Sequence, residues 1–264
     1  MKIVTGVHRS GTSFVSNLLL ELGANLGDDN KHINGDVWNE NGYFENEDIT
    51  LLNDWLILGK YSRSAYCDGG VFGRNWLLRS VLTPFYKLIT SISVDEKVIE
   101  KRARLKKQKM YEFDSMLENV IVKDVRFSIT LPIWLKYAGI KKILYVFRNP
   151  KEVAKSIRRR YNAPMCIGYR TWCMYVDRFL LVSDGIPTTF VYYNNFFDDD
   201  LCNNELNRMI EFIELLDYEK PVNDVVGKVL DRRLKHNEGG SGKIPKYVDK
   251  RFRKLMKIHA KQKL

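Results

Sequence analysis

The chain has 264 residues, 45% of them hydrophobic and 12% aromatic, enough to bury a full core and within the range of one large domain. No window approaches the roughly 18 to 20 uninterrupted apolar residues of a membrane span, and no basic and apolar leader opens the sequence, so the expected compartment is the cytoplasm. Of the formal charge of +11, +8 falls after Gly242, where nine Lys or Arg face one acid, Asp249; the remaining +3 does not require a nucleic-acid partner.

In chain order, residues 2–5 form a short β-prone run that stops at Gly6. Phe14, Val15, Leu18, Leu19 and Leu22 then recur at helical spacing, with Gly23 placed to end the helix. A loop rich in Gly, Asn and Asp from Asn25 to Gly42 precedes a second helical pattern carrying Leu51, Leu52, Trp55, Leu56 and Leu58; loops of that length tend to be functional. The run from Lys101 to Lys109 suits an exposed helix, or in part an anionic ligand. Val120–Val122, Ile143–Phe147 and Thr188–Tyr192 read as strands, and helical patterns follow the first two, over Phe127–Tyr137 and Lys151–Tyr161.

Strands alternating with helices predict βαβ units and a parallel sheet covered on both faces, with ligands at the carboxyl ends of the strands. Trp172, Tyr175 and Phe179, at helical spacing, belong to the core. Cys67, Cys166, Cys173 and Cys202 include no CxxC pair, so neither a zinc site nor a disulfide framework is expected. The Gly-rich stretch Glu238–Gly242 divides a domain over 1–242 from a basic C-terminal helix or tail over 243–264, a candidate for contact with an anionic surface.

The segment Gly6-Val7-His8-Arg9-Ser10-Gly11-Thr12-Ser13 joins the first strand to the first helix. Such a turn aims several backbone N–H groups and the positive end of the helix dipole at one point, which suits a phosphate. A nucleotide triphosphatase would follow the second glycine with Lys and then Ser or Thr, for the phosphates and magnesium. Here Thr12 and Ser13 follow, and the loop's cation is Arg9, whose guanidinium is able to grip two anionic oxygens together. This favours group transfer without a metal over an ATPase or kinase, with a kinase or a non-catalytic nucleotide binder as the alternatives.

These residues also carry a resemblance. HRSGTSFVSNLLLELGANLG resembles the 5′-phosphosulfate-binding segment of bacterial sulfotransferases that use 3′-phosphoadenosine-5′-phosphosulfate (PAPS), which are P-loop proteins. Asn41-Gly42-Tyr43-Phe44-Glu45 is similar to their GYFE stretch, Lys123-Asp124-Val125-Arg126 to their KDPR with Val125 in place of proline, and Arg148-Asn149-Pro150 through Ser156 to their 3′-phosphate-binding RxPxxVxxS. The segments occur in the family's order between residue 2 and about 200. The resemblance implies a three-layer P-loop sulfotransferase-like α/β fold, a central parallel sheet flanked by helices, and PAPS as co-substrate with PAP as product.

On that basis His8, Arg9, Ser10, Gly11, Thr12 and Ser13 would hold the 5′ group, Arg148 and Ser156 the 3′-phosphate, and the catalytic residues would be Arg9, supplying positive charge to the leaving phosphate, and Glu45 as general base, with His32 as a fallback. The competing reading of Glu45 is an acid favoured by a helix N-terminus. Lys123 and Arg126 would contact the acceptor or the transferring group, or else form a salt-bridged strand end. The acceptor is expected to be a glycan or small molecule.

Overall fold

The computed structural model describes residues 1–33, 42–59, 93–215, 222–229 and 243–262. Strands β1 (Lys2–Gly6), β2 (Ile121–Lys123), β3 (Lys142–Phe147) and β4 (Thr188–Tyr192) form one all-parallel sheet in the order β2-β1-β3-β4. Around it lie α1 (Thr12–Glu21), α2 (Glu47–Leu58), α3 (Glu96–Met116), α4 (Phe127–Tyr137), α5 (Pro150–Tyr161), α6 (Met165–Val182), α7 (Asp199–Ile213), α8 (Val222–Val229) and α9 (Lys246–Lys261). Among the described residues no helix is long and apolar enough to cross a membrane.

Side-chain alternation along the strands explains why both faces need cover. In β3, Ile143, Tyr145 and Phe147 join one apolar cluster, with residues of α2 to α6 and α9. Leu144 and Val146 join a second, with residues of α1, α7 and α8. The protein is therefore α/β, with helices against both faces of a four-stranded parallel sheet. Trp172, Tyr175 and Phe179 are fully buried in the first cluster, as their spacing predicts.

Helix α1 stops where the sequence places its glycine. Gly23 has φ +91°, and the N–H groups of Gly23 and Ala24 donate to the carbonyls of Leu20 and Leu19, both at 2.9 Å. The basic run on α3 is mostly exposed, but Arg102 turns inward and donates to the carbonyls of Leu56 (2.9 Å) and Ile57 (2.7 Å), closing the C-terminal end of α2. The basic C-terminal segment is helical and docked. Val248 and Leu255 of α9 are buried, Phe252 meets Trp172 edge-on, and the Gln262 side chain accepts from Phe190 N (2.8 Å) and donates to Thr188 O (2.6 Å) along β4. Cys67 and the Gly-rich stretch 238–242 lie outside the described residues.

Candidate functional site

The chain runs from β1 to β2 on one side and then returns to β3 on the other side of β1. The carboxyl ends of β1 and β3 therefore flank the point where strand order reverses, the crevice in which open α/β sheets bind ligands. Gly6 pairs in register with Val146, so the Gly6–Ser13 loop after β1 and Arg148 after β3 leave the sheet side by side.

The loop's glycines are fixed by close approach. A Cβ at Gly6 would lie 2.1 Å from the Val146 carbonyl oxygen, and one at Gly11, where φ is +96°, would lie 2.1 Å from the Tyr193 ring. Arg9 also has positive φ, +67°, a left-handed conformation that costs a non-glycine residue about 1 kcal/mol or more. Helix α1 has no side-chain N-cap and no acid in its first turn, so its own first turn does not compensate the positive end of its dipole. Ser10 is fully buried and its Oγ has no hydrogen-bond partner among the described residues, and Thr12 is also buried.

The downstream arm meets this loop directly. Arg9 Nε donates to Ser156 Oγ at 3.0 Å, joining residues 147 apart in the chain. Arg148, buried, donates through Nε to Glu152 Oε2 at 2.7 Å and lies over the Tyr193 ring, 4.7 Å from its centroid. Asn194 accepts from Asn149 N (3.2 Å) and donates to Glu152 Oε1 (3.0 Å), and Trp172 Nε1 donates to the Arg148 carbonyl (3.3 Å). Burial, reinforced by the charges of Arg160 and Arg148, pulls the Arg9 guanidinium below its ordinary pKa.

The structure places Glu45, Lys123 and Arg126 in one buried network. Lys123 Nζ donates to Glu45 Oε1 (2.6 Å), to the Tyr43 carbonyl (2.9 Å) and to Ser13 Oγ (3.3 Å), so an ammonium from the end of β2 reaches the N-terminus of α1. Arg126 donates to Glu45 Oε2 (3.2 Å), Asp54 Oδ1 (2.6 Å) and Asp124 Oδ1 (2.9 Å). Asp124 is held in turn by Asn53 Nδ2 (2.9 Å), and Asn53 Oδ1 accepts from Thr130 Oγ1 (2.9 Å) and Trp134 Nε1 (2.8 Å). Burial pushes the Glu45 carboxyl up, but Lys123 and Arg126 outweigh it and hold the pKa at about 2. Burial likewise opposes charge on Arg126, and Asp124, Asp54 and Glu45 overcome it, raising that guanidinium well above its ordinary value. Phe44, at φ +54°, provides the turn between the Tyr43 carbonyl and the Glu45 carboxylate, both of which accept from Lys123.

His8 lies at the edge of this network with its ring against Tyr175 (centroids 5.2 Å apart). Burial and then the charge of Arg126 bring its pKa down to about 3. His32 is tied to the Leu26 carbonyl (3.1 Å) and Asp29 (3.3 Å), and Asn46 caps α2 by accepting from Ile49 N (3.2 Å). Asn41 lies outside the described residues.

Glu152, Arg160, Tyr193 and Asn194 complete the cluster, and none of them is a candidate in the sequence reading. Glu152 had a signal, four residues after Arg148 at the start of a helix. Tyr193 and Asn194 had only their place just after a parallel strand. No protein-family model matches the chain, and no curated protein is significantly similar to it.

Proposed function

We propose that this chain is a P-loop sulfotransferase that takes the sulfuryl group from PAPS and passes it to an acceptor hydroxyl or amine, with a carbohydrate the acceptor class suggested by resemblance. The observation that carries the reading is the 3.0 Å hydrogen bond between Arg9 and Ser156. It unites a glycine-framed, uncapped helix N-terminus with the segment assigned to a second phosphate, as a donor phosphorylated at both its 5′ and 3′ positions requires.

In this reading the N–H groups of the loop and the Ser10 and Thr12 hydroxyls receive the 5′-phosphosulfate, while Arg148 and Ser156 receive the 3′-phosphate. Lys123 takes the place of the loop lysine that the sequence lacks, because its ammonium is already hydrogen-bonded to Ser13 at the helix N-terminus. The acceptor oxygen attacks sulfur in line and the bond between sulfur and the phosphate oxygen breaks. PAP leaves with the electron pair, and Glu45 takes the acceptor proton.

At a pKa of about 2, Glu45 paired with two cations is a poor base near neutral pH. An anionic donor that draws Lys123 away removes the nearest cation and lets burial raise the carboxyl toward a useful value. Donor binding and base activation are thus one event. Thermal melting tests the reading: PAP without metal should stabilise the protein and Mg-ATP should not. Arg148→Ala should weaken PAP far more than adenosine 5′-phosphosulfate, which lacks the 3′-phosphate. Stabilisation by ATP with none by PAP, or equal weakening of both ligands, would overturn it.

A further inference from the structure

We infer that the outward face of α9 is an electrostatic docking surface for a bilayer of anionic phospholipid. Lys246, Lys250, Arg253, Lys254, Lys257 and Lys261 are all exposed. At 3.6 residues per turn they fall within a sector of about 100° and form a stripe about 22 Å long. Asp249 pairs with Arg253 (2.8 Å), whereas none of the five lysines has an ion pair among the described residues. Exposed Lys243 extends the same charge beyond the helix start.

Rigidity and residue type together identify the partner. The opposite face of α9 is committed to the fold. Val248 and Leu255 are buried, Arg251 pairs with Asp177 (2.8 Å), and His259 Nε2 pairs with the buried carboxylate of Glu205 (2.9 Å). The helix therefore has no free apolar side to insert into lipid, and its cations are presented as a fixed row. Five of the six are lysines, compact and flexible point charges suited to a fluid field of lipid phosphates. A glycan's sulfates or carboxylates would be recognised through bidentate arginine forks, and the only arginine of the stripe is already engaged by Asp249. Tyr247, 46% exposed at the margin of the stripe, offers an amphipathic ring at headgroup depth.

Sedimentation with vesicles tests the inference. Wild-type protein should bind vesicles of phosphatidylcholine mixed with phosphatidylserine, less so at high salt, and should ignore vesicles of phosphatidylcholine alone. Lys250→Ala/Lys254→Ala/Lys257→Ala should melt like wild type, because all three side chains are exposed, and should bind about a hundredfold more weakly, about fivefold per lysine. Lys101→Ala/Lys106→Ala/Lys107→Ala on α3 should leave vesicle binding unchanged. The inference is overturned if the α9 variant binds like wild type, if only the α3 variant loses binding, or if a sulfated polysaccharide or duplex DNA is bound while the mixed vesicles are not. None of these outcomes depends on the sulfotransferase reading.

Discussion

Replacing Glu45 with glutamine removes one negative charge and almost no volume from a site where Lys123 is 2% exposed. Breaking a buried ion pair by deleting one partner costs about 3–5 kcal/mol. Here the loss should be smaller, about 2 kcal/mol, since a glutamine oxygen still accepts one hydrogen bond, Lys123 keeps the Tyr43 carbonyl and Ser13, and Arg126 keeps Asp54 and Asp124. For a chain of this size that loss corresponds to a fall of about 4–8 °C in melting temperature.

An anionic ligand changes the sign of the effect. Glu45 competes with the donor for Lys123, so Glu45→Gln should be stabilised more by PAP than wild type is, while catalysing no sulfuryl transfer. The pH dependence is a second readout. The Glu45 carboxyl titrates at about 2 in the folded protein, against about 4.5 unfolded, so its contribution is complete above about pH 4.5 and is lost as pH falls toward about 2. The glutamine variant should lack that part of the acid-unfolding profile. Scanning fluorimetry with and without PAP, across pH, measures all three effects. A variant as stable as wild type without ligand, or one stabilised less by PAP, would refute the charge-competition argument.

Two further perturbations isolate other parts of the site. His8 is kept neutral, at about 3 folded against 6.5 unfolded, so stability should fall as pH drops below about 6.5. Between about pH 7 and pH 5 urea denaturation should show about 2 kcal/mol of loss that His8→Asn does not show, and identical profiles would mean that the ring is not desolvated. Arg9→Gly and Arg9→Ala should both lose PAP binding, yet the glycine variant should be more stable than the alanine variant by about 1 kcal/mol, since φ +67° suits glycine; equal stabilities would mean the loop is relaxed at that residue.

The strands and the helices that face the sheet were legible because their signal is local: Ile143 to Phe147 is one apolar run, and Phe14 to Leu22 repeats at helical spacing. The glycine-framed turn from β1 into α1 was legible for the same reason, since Gly6, Arg9 and Gly11 lie within six residues. Glu45 and Lys123 were each singled out as site residues, but their ion pair was not legible, because 78 residues separate its members. Tyr193 shows the same limit, for nothing around it in the sequence announces that its ring packs against a glycine 182 positions earlier. The basic C-terminal segment was visible as a charge run, but its docking was not, since Val248, Phe252 and Leu255 are too few to outweigh the lysines around them in composition.

The Tyr193 ring packs against Gly11 and also lies within 4.7 Å of the Arg148 guanidinium. If the proposed function holds, that one ring touches both the loop and the arginine assigned to the two phosphates, and so sets the gap between them as a spacer sets the width of a gauge. A ligand whose two negative groups are closer together or farther apart than that gap cannot occupy both at once, whatever their charge. Discrimination among nucleotides would then be a matter of length as much as of electrostatics, and a smaller residue at 193 would widen the range of nucleotides admitted before it weakened the grip on any one of them.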